Sequence, residues 1–384
     1  MPADINELLK KTVKLGASDL HIKAGSHPII RIDGALTEMQ DEQKLTPEDT
    51  RDIAEFVLKE NRWKEFQKTC DMDIAYSVEG FCRFRCNCYM QRGSVGIVFR
   101  AIPLDILAIE QLHLPEVLRK IAMVPRGLIL VTGTTGSGKS TTLASIIDYI
   151  NANRTDNIIT VEDPIEFLHR DKKSIVSQRE VGSDTDTFAK ALRAALRQDP
   201  DVILVGEMRD FETIQTALTA ADTGHLVLST LHTADAVETI NRIIAVFPPY
   251  QHKQVRMQLA AILRAIISMR LIPKADGTGR VPAVEILIAT EMVRGCIEDQ
   301  DKTKLISDVI AEGTSQYGMQ TFDQSLLYLY KKELITYEDA LSRATRPNDF
   351  ALMVKGVQSA SDSYGEGSSK TGESDGPEIE RFSR

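Results

Sequence analysis

Residues 127–150 read GLILVTGTTGSGKSTTLASIIDYI, an apolar run, a glycine-rich turn and a helix-period run in direct succession. Gly133, Gly138, Lys139 and Ser140 satisfy the phosphate-binding pattern G-x-x-x-x-G-K-[ST], and Leu128–Val131 and Thr141–Ile150 supply the strand and helix that the pattern needs on either side. Glycines at these places, Gly136 among them, let successive backbone N–H groups curl round a phosphate chain at the positive end of a helix beginning near Lys139. The cradle comprises Gly133, Thr134, Thr135, Gly136, Ser137, Gly138, Lys139, Ser140 and Thr141. Lys139 reaches the β- and γ-phosphates as a point charge, and the Ser140 hydroxyl is placed to ligate a metal. The expected ligands are ATP and Mg²⁺.

Downstream of this stretch, strand-period and helix-period runs alternate, with strands expected at 127–132, 157–163, 174–181, 201–206, 226–231 and 281–288. That alternation argues for an α/β layer with the loop at the carboxyl end of one strand. Residues 250–271 (YQHKQVRMQLAAILRAIISMRL) read as helical, and several helices fill 290–356. Upstream, apolar positions at helical spacing over 5–15 precede short strands, a helix from Pro47 to Phe66 capped by Thr46, and strands at 71–78, 81–90 and 94–100. Pro103, Pro115 and Pro125 punctuate the connection between the two parts. The expected division is an α+β domain over 1–100, a linker over 101–116, the ATPase domain with its helices over 117–356, and a disordered Ser-, Gly- and acid-rich tail over 357–384.

With 384 residues and 42% hydrophobic content the chain can build two cores of ordinary size. A net charge of −9 speaks against a nucleic-acid partner. No run approaches about 18 apolar residues, and MPADINELLK lacks the features of a secretory signal, so a cytoplasmic protein without direct membrane insertion is expected. Cys82, Cys86 and Cys88 share one parity on the strand FCRFRCNCYM, which places them with Phe84 and Met90 on a buried face rather than round zinc. The opposite face carries Arg83 and Arg85 roughly 7 Å apart, a pair able to grip phosphate or to meet carboxylates.

The carboxylates that could act on a phosphate chain fall at strand ends. NIITVEDPIEF closes on Glu162, Asp163 and Glu166, and the buried run Val202–Val205 delivers Glu207 at its carboxyl end. An acid there ligates Mg²⁺ or activates the attacking water. Gly206 stands where an aspartate often precedes that glutamate, so Glu207 and Glu166 share metal organisation and water activation. His225 and His232 bound another apolar run, and a histidine beside a triphosphate can couple it to movement.

GASDLHI, GFCRFRCN, VPRGLILVTGTTGSGKSTT, ITVEDPIEFLH, PDVILVGEMRD and TGHLVLSTLHT, in that order and spacing, resemble the type IV pilus retraction motors of the PilT/PilU group in the secretion ATPase superfamily. The resemblance covers residues 1 to about 356. It implies a homo-hexameric ring whose subunits join a PAS-like N-terminal domain to a RecA-like P-loop motor domain, with ATP held between them. It further implies Glu166 and Glu207 as catalytic glutamates, His225 and His232 as the His-box residues, and approach of Arg83, Arg85 and Arg126 to the nucleotide. The partners it implies are an inner-membrane pilus platform protein, at whose cytoplasmic face the ring would be recruited, and a second retraction ATPase. TEMVRGCIEDQ departs from the AIRNLIRE-like helix of PilT, and GMQTFDQSLLYLYKKELITYEDALSRA with the polar tail leans toward PilU. The rival expectations are a pilus-assembly or type II secretion ATPase, a DNA translocase, and a ring partner whose own hydrolysis is dispensable.

Overall fold

The computed structural model describes residues 4–32, 34–79, 81–102 and 106–356; Pro103 and the expected tail lie outside them. The N-terminal half comprises α1 (Ile5–Lys14), β1 (Asp19–Lys23), β2 (Ile29–Ile32), β3 (Ala35–Glu38), α2 (Pro47–Thr69), β4 (Asp71–Val78), β5 (Cys82–Gln91) and β6 (Ser94–Ile102). Its strands form one antiparallel sheet in the order β3-β2-β1-β6-β5-β4. The expected cap opens α2: Thr46 Oγ1 accepts the Asp49 N–H at 3.1 Å, and the Asp49 carboxylate accepts the Thr46 N–H at 2.8 Å. A break at Lys59, with φ of 59°, interrupts the helix, which otherwise runs three residues beyond Phe66.

Alternation along β5 sends Cys82, Phe84, Cys86 and Cys88 into the core with Phe99, Ile97, Val57 and Phe66. The thiols of Cys86 and Cys88 lie 3.9 Å apart in that core. Met90, expected to join them, is 39% exposed: it stands near the end of β5 beside the Gln91–Ser94 turn, at the rim of a surface hollow it shares with α2.

The second half comprises α3 (Val117–Ala122), β7 (Gly127–Thr132), α4 (Lys139–Asn153), β8 (Asn157–Glu162), β9 (Ile175–Glu180), α5 (Phe188–Ala195), β10 (Val202–Val205), α6 (Phe211–Asp222), β11 (Leu226–Leu231), α7 (Ala236–Ala245), α8 (His252–Ile262), β12 (Leu263–Pro273) and β13 (Arg280–Ile288). Helices α9 (Glu291–Glu298) to α14 (Pro347–Val354) close the described chain. The sheet order is β13-β12-β7-β11-β10-β8-β9, parallel throughout except for β13. Every residue of β7 is buried. Leu128 and Leu130 enter the core on one side of the sheet, Ile129 and Val131 that on the other, which is why a central parallel strand has no polar face.

One element departs from expectation. The helix expected over 250–271 ends at Ile262, and the chain passes directly into the eleven-residue strand β12. Ala265, Ile266, Ile267, Ser268 and Met269 are buried on both faces because β12 runs between β7 and β13. A run that is apolar all round carries no period that separates strand from helix.

Candidate active site

The parallel strands direct their carboxyl ends to one edge of the sheet. There β7 delivers the loop 133–138, β8 the turn 163–166, β10 Glu207, and β11 His232. Between them lies a cleft of about 520 Å³ lined by Thr135, Lys139, Ser140, Glu166, Glu207 and His232 together with Arg85 of β5.

The loop geometry depends on its first glycine. Gly133 has φ of 141°, and a Cβ there would lie 2.5 Å from Ser137 Oγ and 2.6 Å from the Met269 carbonyl. No side chain fits so close an approach. Gly138, with φ of 94°, turns the chain into α4. Lys139 Nζ donates to the carbonyls of Gly133 at 2.9 Å and Thr134 at 3.0 Å. Burial holds the Lys139 ammonium below the usual lysine range, against the opposing pull of Glu166 and Glu207.

Opposite the loop, Glu207 Oε2 pairs with Arg209, 2.7 Å from its Nε, and lies 3.5 Å from His232 Nε2. Burial, and then the Lys139 charge, lower the imidazole of His232, so the ring is neutral at pH 7. Burial raises Glu162, whose carboxylate is held by Thr160 Oγ1 at 2.6 Å and Gln178 Nε2 at 3.2 Å, and it raises Asp163, to which Glu207 adds repulsion. Glu162, Asp163, Glu166 and Glu207 all line the cleft, and Glu166 and Glu207 are the two whose charges act on Lys139.

The residues present fit a nucleotide. Ser137 Oγ is buried among the loop amides with no hydrogen-bond partner, the Gly133 cradle is one a Cβ would fill, and an ammonium, a hydroxyl and two carboxylates converge. Ser140 and Glu207 are the pair that could hold a divalent cation, as hard oxygen donors.

The structure does not gather every residue expected here. Arg83 points to Glu180, with Nη2 2.5 Å from Oε2, and so meets a carboxylate rather than the cleft. Arg85 is half-exposed, 3.9 Å from Asp73, and does line the cleft. His225 and Arg126 stand at the opposite edge of the sheet. The Gly127 N–H donates to the His225 carbonyl at 3.0 Å, and His225 Nδ1 lies 2.9 Å from the Ala220 carbonyl. The six residues of β7 therefore separate them from the loop by roughly 20 Å. The Arg126 carbonyl accepts from Arg264 Nε at 3.0 Å, and its side chain is exposed. Conversely, Arg209, Arg280 and His169 line the cleft without having been singled out. Arg209 was findable, two residues after Glu207 in one extended segment; Arg280 reaches the cleft only through the β12–β13 pairing.

The model of the family described as "Type II/IV secretion system protein" matches residues 1–316 of this chain. The type IV pilus retraction ATPase PilT of Pseudomonas aeruginosa is 47% identical over 350 residues, spanning 90% of this chain and 100% of that protein. The type IV pilus ATPase PilU of the same organism is 43% identical over 352 residues, spanning 92% and 91%. A crystal structure of the pilus retraction motor PilT with bound ADP superimposes with a TM-score of 0.84 at 49% identity, over 90% of this chain and 98% of that one. Overall identity thus favours the PilT relative slightly, and gives no support to the PilU leaning taken from the carboxyl-terminal segment.

Proposed function

This chain belongs to the type II/IV secretion system protein family, and from that premise we propose that it is a motor that hydrolyses ATP to retract type IV pili. The observation that carries the reading is the convergence of Lys139, Glu166, Glu207 and His232 on one cleft that also receives Arg85 from the N-terminal sheet. Nucleotide chemistry and the angle between the two halves therefore share a single site.

Lys139 and the loop amides hold the β- and γ-phosphates. Bound Mg²⁺, held by Ser140 and the Glu207 side, would neutralise charge developing on the phosphate oxygens. Glu166 and Glu207 orient the attacking water and take its proton. Neutral His232, beside Glu207, can donate to a γ-phosphate oxygen and report its loss to β11 and α7. Arg85 brings a guanidinium from the N-terminal half, so that closure of the halves completes the charge around the triphosphate. Subunits of two domains, 1–100 and 117–356, form a homo-hexameric ring, and successive closures turn an inner-membrane platform protein from its cytoplasmic face. No helix among the described residues is long and apolar enough to cross a membrane.

Hydrolysis by the full chain with Mg²⁺ tests the site. Lys139→Ala should abolish it, and Glu207→Gln should lower kcat by a factor of about 100 or more while leaving nucleotide bound. A Lys139→Ala protein as active as the parent sinks the assignment. In cells, deletion should leave many unretracted pili, whereas an absence of pili would favour an assembly motor.

A further inference from the structure

Arg83 and Arg85 leave the same face of β5, two residues apart, yet end in different places. Arg85 lines the cleft. Arg83 crosses to Glu180, the last residue of β9, in an ion pair whose side chains are 19% and 5% exposed. The same atom, Glu180 Oε2, also accepts the backbone N–H of Ile165 at 3.2 Å. Ile165 is buried, and Glu166 follows it.

Glu180 itself is anchored. It lies opposite Glu162 in the β8–β9 register, its N–H donates to the Asp184 carboxylate at 2.8 Å, and its Oε1 accepts from Ser183 Oγ at 3.2 Å. Arg62 of α2 adds a second tie across the halves, donating to that same Ser183 Oγ at 2.9 Å. The strand end is therefore fixed, and what can move are the half that carries Arg83 and the turn that carries Glu166.

We infer that Glu180 is a positioning residue that ties the place of Glu166 in the cleft to the angle of the N-terminal half, through one oxygen shared by Arg83 and the Ile165 N–H. A buried carboxylate that loses its cation is left short of partners and must regain them from water or from neighbours. When the N-terminal half swings away, Glu180 is free to rotate toward solvent, the Ile165 N–H loses its acceptor, and the turn relaxes. With Arg83 docked, the turn is held and Glu166 faces Lys139. Domain closure then acts on hydrolysis along two routes, directly by Arg85 and indirectly by Arg83. The inference rests on the proposed role of Glu166 in hydrolysis.

Steady-state hydrolysis against ATP concentration, together with binding of a fluorescent ATP analogue, tests it on the full chain as Arg83→Gln, Glu180→Gln, the double variant and Arg83→Lys. Each Gln variant should lower kcat about tenfold with KM and analogue affinity within about twofold, since neither residue touches nucleotide. The double variant should be no slower than the slower single one, as for two members of one unit, and Arg83→Lys should recover most of the rate. Unchanged kcat, a multiplied loss in the double variant, or a raised KM at full kcat each overturns the inference, the last because Arg83 would then be gripping nucleotide. Should Glu180→Gln fail to fold, Arg83→Gln and Arg83→Lys carry the same contrast. A parent chain that hydrolyses no ATP overturns the proposed function and this inference with it; an active parent with any of the other adverse results overturns this inference alone.

Discussion

Glu285→Gln should make the chain more resistant to unfolding at pH 8 than at pH 5, relative to the parent at each pH. Glu285 sits on β13, 7% exposed, and its Oε1 accepts the N–H of Ala236 at the start of α7 at 2.9 Å. Across the β12–β13 register it faces Ser268, whose hydroxyl accepts from Thr132 Oγ1 at 3.0 Å, immediately before the phosphate loop. Burial pushes its carboxyl from 4.5 up to about 7, with Asp235 adding to the rise and Arg270 opposing it. The unfolded chain releases this proton near 4.5 and the folded chain keeps it to about 7, so within that window the folded state binds more protons and stability falls as pH rises. At about 1.4 kcal/mol per pH unit the loss reaches about 3 kcal/mol above pH 7. Glutamine keeps the shape and an acceptor for Ala236 but has no proton to lose. Urea unfolding of parent and variant, followed by circular dichroism, should show the variant's relative stability greater at pH 8 than at pH 5 by about 2–3 kcal/mol. An offset equal at the two pH values would refute the reasoning, since the buried carboxyl would then not be titrating between them.

Two further outcomes separate residues that look alike in sequence. His232→Ala should lower kcat about tenfold or more, while His225→Ala should leave kcat within about threefold and lower the melting temperature, because only the first lines the cleft; equal losses of kcat would contradict the placement of His225. His169 lines the cleft with Nδ1 buried and unpartnered, and burial pushes its imidazole from 6.5 to about 4. Its neutral form is the folded one, so its contribution is complete above 6.5 and is lost as pH falls toward 4, by about 3 kcal/mol. His169→Gln should flatten the stability profile over that range in acid titrations monitored by urea midpoints, and an unaltered slope would count against it.

Whatever depends on neighbours along the chain was legible from the residues alone. The loop 133–140 is legible because a strand, glycines with positive φ, a lysine and a helix start must be contiguous to hold a phosphate chain. Glu207 was legible for a similar reason, since four buried residues in a row force the next polar one to a strand end. Which end of a strand a residue occupies relative to the site is settled by packing, which divides His232 from His225 across β11. Packing also decides that 263–273 is a strand, because neighbours on both edges satisfy its backbone, and that Arg83 meets Glu180 from a different sheet 97 positions away. Periodicity and motif spacing report which faces are apolar and which turns are tight. The partner of a buried charge is set by which elements the packing brings together, and no local pattern carries that information.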